Sequence, residues 1–348
     1  MKDIAEDLGV SLMTVSKALR GHSDISEATR RRVMSRAREL NYRPNWIARS
    51  LVTRRTYMVG LIIPDLMHSF FAEVAKGVAR KFEPLGYQLV ISNSEEHSDA
   101  ELRQVQALLD RNVDGVIIAT AQSNGRGELF KLLESRHMPY VLIDRMPSGF
   151  RGHYVGVEDE EIGALATGHL IDQGCSRIAH LRGPANPPGS GRLRGYRRAL
   201  KKRGLEAPPE YVESGQYEDG SGYEGMRKLL QLRRRPDGVF CYNDPVAAGA
   251  IKAILEAGLT VPGDIAVIGA GNVHYSDLLR VPLSTVDQSS SAIGETAAEL
   301  LAHCIEEKKP IPPRRVLIPP KLIVRESSRT DLRFVHGKPE ARPTATGS

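Results

Sequence analysis

The sequence predicts a short all-α head followed by an α/β core of two doubly wound parallel-sheet lobes. Three observations predict it. From Tyr57 onward, apolar strand-like runs alternate with amphipathic segments of helical length, the pattern of βαβ units. About ten such strands are too many for one small doubly wound domain, so two lobes with a cleft between them are expected. Charge is segregated: residues 1 to 56 hold 12 Lys/Arg and 6 Asp/Glu, whereas the rest holds 36 of each, so the whole net charge of +6 lies in the head.

The expected boundaries are 1–44 for the head, 45–56 for a hinge helix and linker, 57–330 for the core and 331–348 for a disordered tail. One lobe is expected at about 57–157 with 286–318, the other at about 158–285 with 319–330. In the head, DIAEDL puts Ile4, Ala5 and Leu8 on one stripe, and Gly9 supplies a sharp turn. Ser11 caps LMTVSKAL, which buries Val15 and Leu19; Ser26 caps EATRRRVMSRAREL, with Val33, Ala37 and Leu40 inward. Pro44 ends that module, and Asn45 can cap the short segment WIARSLV. A helix that short is marginal in water and is expected to order only on a partner surface.

In the core, YMVGLIIP, YQLVISN, DGVIIAT and PYVLID read as strands, separated by helices at FFAEVAKGVARKFEPLG, around Ala100 to Leu109, and at GELFKLLESR. IGALATGHLIDQG, RLRGYRRALKKRG, GYEGMRKLLQ, PVAAGAIKAILEAG and AIGETAAELLAHCIEE continue as helices. RIAHLRG, a short stretch near Tyr211, GVFCYN and DIAVIGA are the intervening strands. The tail DLRFVHGKPEARPTATGS is polar and rich in Pro and Gly.

Composition narrows the function. No apolar run reaches the roughly 20 residues of a membrane helix, and MKDIAEDLGV lacks the apolar segment of a signal peptide. The expectation is a cytoplasmic, nucleoid-associated protein without membrane contact. Cys175, Cys241 and Cys304 form no CxxC or Cys/His cluster, which argues against disulfides and zinc; Cys241 and Cys304 read as small buried thiols. No cofactor and no metal are expected. A short basic module on a neutral body is what a polyanion binder needs.

Within the head, DIAEDLGVSLMTVSKAL carries the most specific pattern. A helix-turn-helix needs a small residue where its helices cross (Ala5), a turn glycine four residues later (Gly9) and an apolar residue inside the second helix (Val15). That second helix lies in the major groove of double-stranded DNA, with Leu12 and Met13 as base readers and Lys17 one turn on. Ser11, Thr14 and Ser16 suit phosphates or nearby base edges. Leu12 and Met13 cannot make paired hydrogen bonds to bases and pack instead on thymine methyl groups, leaving more of the specificity to DNA deformability.

The run from Met1 to Thr56 resembles the DNA-binding head and hinge of the lactose/galactose repressor family. The resemblance continues through GLIIPDLMHSFFAEV, DGVIIAT, VLIDR, RLRGY, CYNDPVAAGAIKAILEAGLTVPGDIAVIG and PLSTVDQ. It implies a periplasmic-binding-protein-like core behind a helix-turn-helix head, and a homodimer on a pseudo-palindromic operator. The hinge helix of each subunit would enter the minor groove with Leu51 as the kinking wedge and Ala48 allowing close approach. Arg54 and Arg55 are phosphate-contact candidates, with a solvated linker as the alternative. The tail has no leucine heptad, so a dimer is expected rather than a tetramer.

The same resemblance places a small-molecule effector, a sugar or sugar derivative, in the cleft. The matching positions are Ser69, Phe70, Phe71, Asp144, Arg192, Tyr217, Asn243, Asp244 and Gln288. Aromatic faces cover an apolar sugar face while arginine and carboxylates bind polar groups. Asp144 and Asp244 could instead cap turns, Arg192 could be a surface arginine, and one of the two phenylalanines could be core. In many members of the family a GxD aspartate follows the late strand; here IGAGNVHYSDLL has Gly271 there, so either Asn272, His274 or Tyr275 takes its place or the ligand lacks the matching hydroxyls. Met1 also stands almost on the first helix, where the family carries a capping segment.

The resemblance implies a sequence-specific transcriptional regulator, a repressor first. The alternatives are an activator or global regulator with a non-sugar effector, a solute-binding protein, or an enzyme. The enzyme reading finds no GxGxxG opening a helix, no GxxxxGK[ST], no GxSxG and no HExxH.

Overall fold

A computed structural model describes residues 1–19, 22–42, 55–307 and 311–329, in two compact units, Met1–Thr56 and Tyr57–Ser348. The expected hinge helix and the tail beyond Arg329 lie outside the described residues.

The head contains α1 (Lys2–Leu8), α2 (Leu12–Leu19) and α3 (Glu27–Glu39). Gly9 closes α1 in the left-handed region at φ 62°, where a side chain would be strained. Ser11 Oγ then accepts from Thr14 N at 3.0 Å, and Ser26 Oγ from Thr29 N at 3.2 Å, so both hydroxyls satisfy orphan amides of the following helix. Ile4, Ala5, Val15, Ala18, Val33 and Ala37 form the core. One expectation fails. Leu40 is exposed, because α3 stops beneath it and the chain folds back through the 2.8 Å Tyr42 N to Ala37 O bond. Tyr42 packs on the core instead.

The core begins with β1 (Met58–Ile63), α4 (Ser69–Phe82), β2 (Gln88–Asn93), α5 (Ser98–Asp110), β3 (Gly115–Ile118), α6 (Glu128–Ser135), β4 (Tyr140–Ile143) and β5 (His153–Val157). It then runs through α7 (Asp159–Asp172), β6 (Ile178–Arg182), α8 (Pro187–Lys202), β7 (Val212–Ser214), α9 (Asp219–Leu230), β8 (Gly238–Cys241), α10 (Asp244–Glu256) and β9 (Ala266–Gly271). Last come β10 (Ser284–Asp287), α11 (Ser290–Glu306), β11 (Arg315–Ile318) and β12 (Lys321–Ile323).

The first sheet has the order β11-β5-β4-β3-β1-β2 and is parallel throughout. The second has the order β12-β10-β9-β8-β6-β7, parallel except where β12 runs against β10. The chain therefore crosses between lobes three times, after Val157, Asp287 and Ile318. β10 pairs along its whole length with β9, Ser284 opposite Ile268 and Asp287 opposite Gly271, so it belongs to the second sheet, while α11 returns to pack on α4 of the first. β5, β10, β11 and β12 are strands that periodicity does not announce. Each has at most five residues, and β11 and β12 are half-exposed edge strands whose pairing comes from across the fold.

Helix α8 also starts five residues earlier than expected. Asn186 caps it, accepting from Gly189 N at 2.9 Å, and prolines fill its first turn, where no amide partner is needed. Glycines along this helix are packing residues: a Cβ on Gly191, in the unexpected first turns, would stand 2.6 Å from Asp159 Cβ, and one on Gly195 2.0 Å from Glu160 O of α7. The pairs α4/α11 and α9/α10 are equally close, through Gly77, Gly294, Gly222 and Gly249.

Candidate functional site

On the head, α2 presents Leu12 and Met13 at its first turn, 45% and 62% exposed. Large apolar side chains left in water at a helix start have no packing role there. Ser11 and Thr14 sit beside them, their hydroxyls 2.9 Å apart, and Lys17 pairs with Asp24 at 2.5 Å. Ser16 is half-buried on the same helix. Arg55 is half-buried at the end of this unit, whereas Asn45, Ala48, Leu51 and Arg54 lie outside the described residues.

In the core a cavity of about 30 Å³, room for one or two waters, is lined from both lobes. Its lining residues follow the carboxyl ends of strands, where open parallel sheets place ligands. Of the expected residues it brings together Phe70, Phe71, Asp144, Arg192, Tyr217, Asn243 and Gln288. Ser69, Asp244 and Asn272 stand outside the lining. Ser69 begins α4 and hydrogen-bonds Tyr275. The buried Asp244 carboxylate accepts from Thr285 Oγ1 (2.6 Å), Ser276 Oγ (2.7 Å) and Val273 N (3.0 Å), tying the start of α10 to β10 and to the loop after β9. Burial raises its pKa while these donors oppose the rise. Asn272 accepts from Arg325 at 2.8 Å.

Arg192 is the most constrained group of the cavity. It is 3% exposed, and its guanidinium donates to Asp159 (3.1 Å), to Tyr242 O (2.6 Å) and to Gln288 Oε1 (2.9 Å) while lying 4.5 Å over the Tyr242 ring. Burial pushes Asp159 up to about 6, against the pull of Arg192. The Asn243 amide is fixed from both ends: Oδ1 caps α10 through Val246 N at 2.9 Å, and Nδ2 donates to Tyr217 O at 2.9 Å. Two N–H donors, Asn243 Nδ2 at 3.1 Å from Nε2 and Phe70 N at 3.3 Å from Nδ1, face the His68 ring, which accepts only while it is uncharged. Burial agrees, lowering the His68 pKa and favouring the neutral ring.

Periodicity and family matching miss Asp65, His68, Glu96, Arg145 and Tyr242. The signal that finds them is position: each stands within five residues of a strand's carboxyl end. Arg145 is 5% exposed and takes Glu96 in a two-pronged pair at 2.5 and 2.7 Å. It reaches across to Tyr217 Oη of the second lobe at 3.2 Å, and Asn186 Nδ2 donates to the same hydroxyl at 2.8 Å. Burial opposes the Arg145 charge, yet Glu96 and Asp144 hold its pKa above the usual arginine value. The cavity thus offers acidic acceptors, arginine donors and the faces of Phe70, Phe71 and Tyr217, a set suited to a small polar molecule with one apolar face.

Residues 1–45 match the model for bacterial regulatory proteins of the lacI family, and residues 167–328 match the periplasmic binding protein-like domain. The ribose operon repressor of Escherichia coli (strain K12) is 35% identical over 332 residues, 94% of this chain and 99% of the relative. The lac repressor dimer bound to operator and the anti-inducer ONPF superposes with a TM-score of 0.81 at 26% identity, covering 94% of this chain and 98% of that one. A complex of the transcriptional regulator CelR with cellobiose gives 0.72 at 30% identity, covering 93% and 98%. With a three-helix head in one unit, a strand-end cavity in the other, and a relative this similar along nearly the whole chain, the protein belongs to the lacI family of bacterial regulatory proteins.

Proposed function

We propose that this protein is a transcriptional repressor that binds a pseudo-palindromic operator as a homodimer in the cytoplasm and is tuned by a sugar or sugar derivative in the cleft. The supporting observation is the geometry of the head: Gly9 turns α1 into α2, and α2 offers Leu12 and Met13 to solvent at its first turn. In this reading Ser11, Thr14, Ser16 and Lys17 flank them against phosphates and base edges. Asn45, Ala48, Leu51, Arg54 and Arg55 form the conditional hinge, with Leu51 as the minor-groove wedge. The cleft residues Phe70, Phe71, Asp144, Arg192, Tyr217, Asn243 and Gln288 receive the effector, and Ser69, Asp244 and Asn272 support them from outside.

Effector occupancy changes the angle between two lobes joined by three crossings, and that angle biases the hinge. A coupling of about 1–3 kcal/mol suffices for a working switch. The relatives' sugars make D-ribose and cellobiose the first compounds to test. Purified full-length protein is used to select genomic fragments, and binding to the best fragment is measured with and without each sugar at several salt concentrations. The expected result is a preferred, nearly palindromic fragment, affinity that falls steeply with salt, and a shift of fivefold or more with one sugar. Equal affinity for every fragment and for bulk DNA overturns the proposal.

A further inference from the structure

The Glu96–Arg145 pair differs in kind from the rest of the cavity. Phe70, Arg192, Tyr242, Asn243 and Gln288 are all buried in their walls. The Glu96 side chain is 33% exposed, and it hangs from a solvent-facing turn in which Ser94 alone is buried. Glu95 and Glu96 stand at φ 51° and 61°, a left-handed pair in the region that favours glycine. The Glu96 carboxylate is therefore held by what it reaches and not by packing around its own backbone. What it reaches is the Arg145 fork, by the paired geometry with which arginine receives a carboxylate, together with the Tyr217 hydroxyl of the opposite lobe.

A cavity of about 30 Å³ is too small for a sugar as it stands, and Glu96 is the one exposed residue of its lining, the group that can swing into water. Its departure leaves the buried guanidinium with Asp144 alone, 3.4 Å from Nε, and empties the fork of its two terminal nitrogens, which a carboxylate refills in paired geometry and a hydroxyl group does not. We infer that Glu96 is a built-in ligand of the cleft, occupying on Arg145 the seat that an effector's own carboxylate takes, and that the site is tuned to acidic sugar derivatives of the aldonate class. On displacement, the bridge to Tyr217 passes from the chain to the ligand, so occupancy is read directly by the second lobe. The inference rests on the reading of the cleft as the effector site.

The test uses a matched pair of probes, D-ribonate and D-ribose, on the full-length protein and on Glu96→Gly, which removes the competing carboxylate and suits the left-handed turn. The concentration giving half of the maximal rise in melting temperature is measured for each. The expected result is a wild-type preference for ribonate over ribose of tenfold or more, and a further tenfold gain for ribonate in Glu96→Gly. Glu96→Gln, which keeps the side chain's length, gives the same ordering if the glycine variant does not fold. Equal ribonate responses in wild type and variants overturn the inference. A response to ribose but not ribonate also overturns it and leaves the sugar-cleft reading standing. Silence towards both probes overturns it too, while the operator-selection experiment still reports separately on the head.

Discussion

Replacing Arg192 by alanine should cost more than a ligand contact, because this guanidinium is half of a buried ion pair. In Arg192→Ala the Asp159 carboxylate loses its 3.1 Å partner, and Tyr242 O and Gln288 Oε1 lose donors at 2.6 and 2.9 Å. Breaking a buried pair from one side costs about 3–5 kcal/mol, most of it from the charge left behind. That charge can be removed with acid. Asp159 is already pushed up to about 6 with Arg192 present, and losing the group that lowers it raises it further. In the variant Asp159 is therefore neutral at pH 5, whereas at pH 8 keeping it unpaired costs stability whichever form it takes. Urea unfolding should show a loss of about 4 kcal/mol at pH 8, shrinking to about 1–2 kcal/mol at pH 5, where only hydrogen bonds and packing remain missing. Asp159→Asn in the same background should recover most of the pH 8 loss. A penalty equal at both pH values, or below about 1 kcal/mol at pH 8, refutes the reasoning.

Glu101 is fully buried and pushed up to about 6 from 4.5 by burial. A raised carboxylate contributes stability that is complete below pH 4.5 and is lost as pH climbs through 6, about 2 kcal/mol at neutrality. Glu101→Gln should flatten that slope and raise stability at pH 7 by about 1–2 kcal/mol in pH-dependent melts. Gly294→Ala should destabilise by about 1–3 kcal/mol, because its Cβ would sit 2.2 Å from Val74 O. Gly168→Ala, whose Cβ meets nothing within 4 Å, should stabilise by about 0.5–1 kcal/mol; equal effects of the two in denaturant titrations would remove the close-packing explanation. Leu51→Ala should weaken operator binding tenfold or more and leave bulk-DNA binding nearly unchanged, measured by competition titration, since a wedge acts only where a base step opens.

Much of this protein could be read before its fold was known. Ala5, Gly9 and Val15 announced the head because the demands of a helix crossing are local: a small side chain, a left-handed turn and an apolar insert within eleven residues. The charge excess of residues 1 to 56 needed only counting. Strong periodic runs such as Met58–Ile63 and Ser69–Phe82 declared their type because each buries one face or all of itself. Tertiary structure decided the rest. The strands Ser284–Asp287, Arg315–Ile318 and Lys321–Ile323 are too short to carry a pattern, and their hydrogen bonds come from strands brought beside them by the fold. Asp244 read from sequence as either a ligand group or a turn cap, and only the fold shows Thr285, Ser276 and Val273 converging on it as a buried brace. Glu96 and Arg145 were two charges 49 positions apart whose meeting no window of sequence could show. A backbone preference is written within a few residues, whereas the use of a charge depends on what the fold places within 3 Å of it.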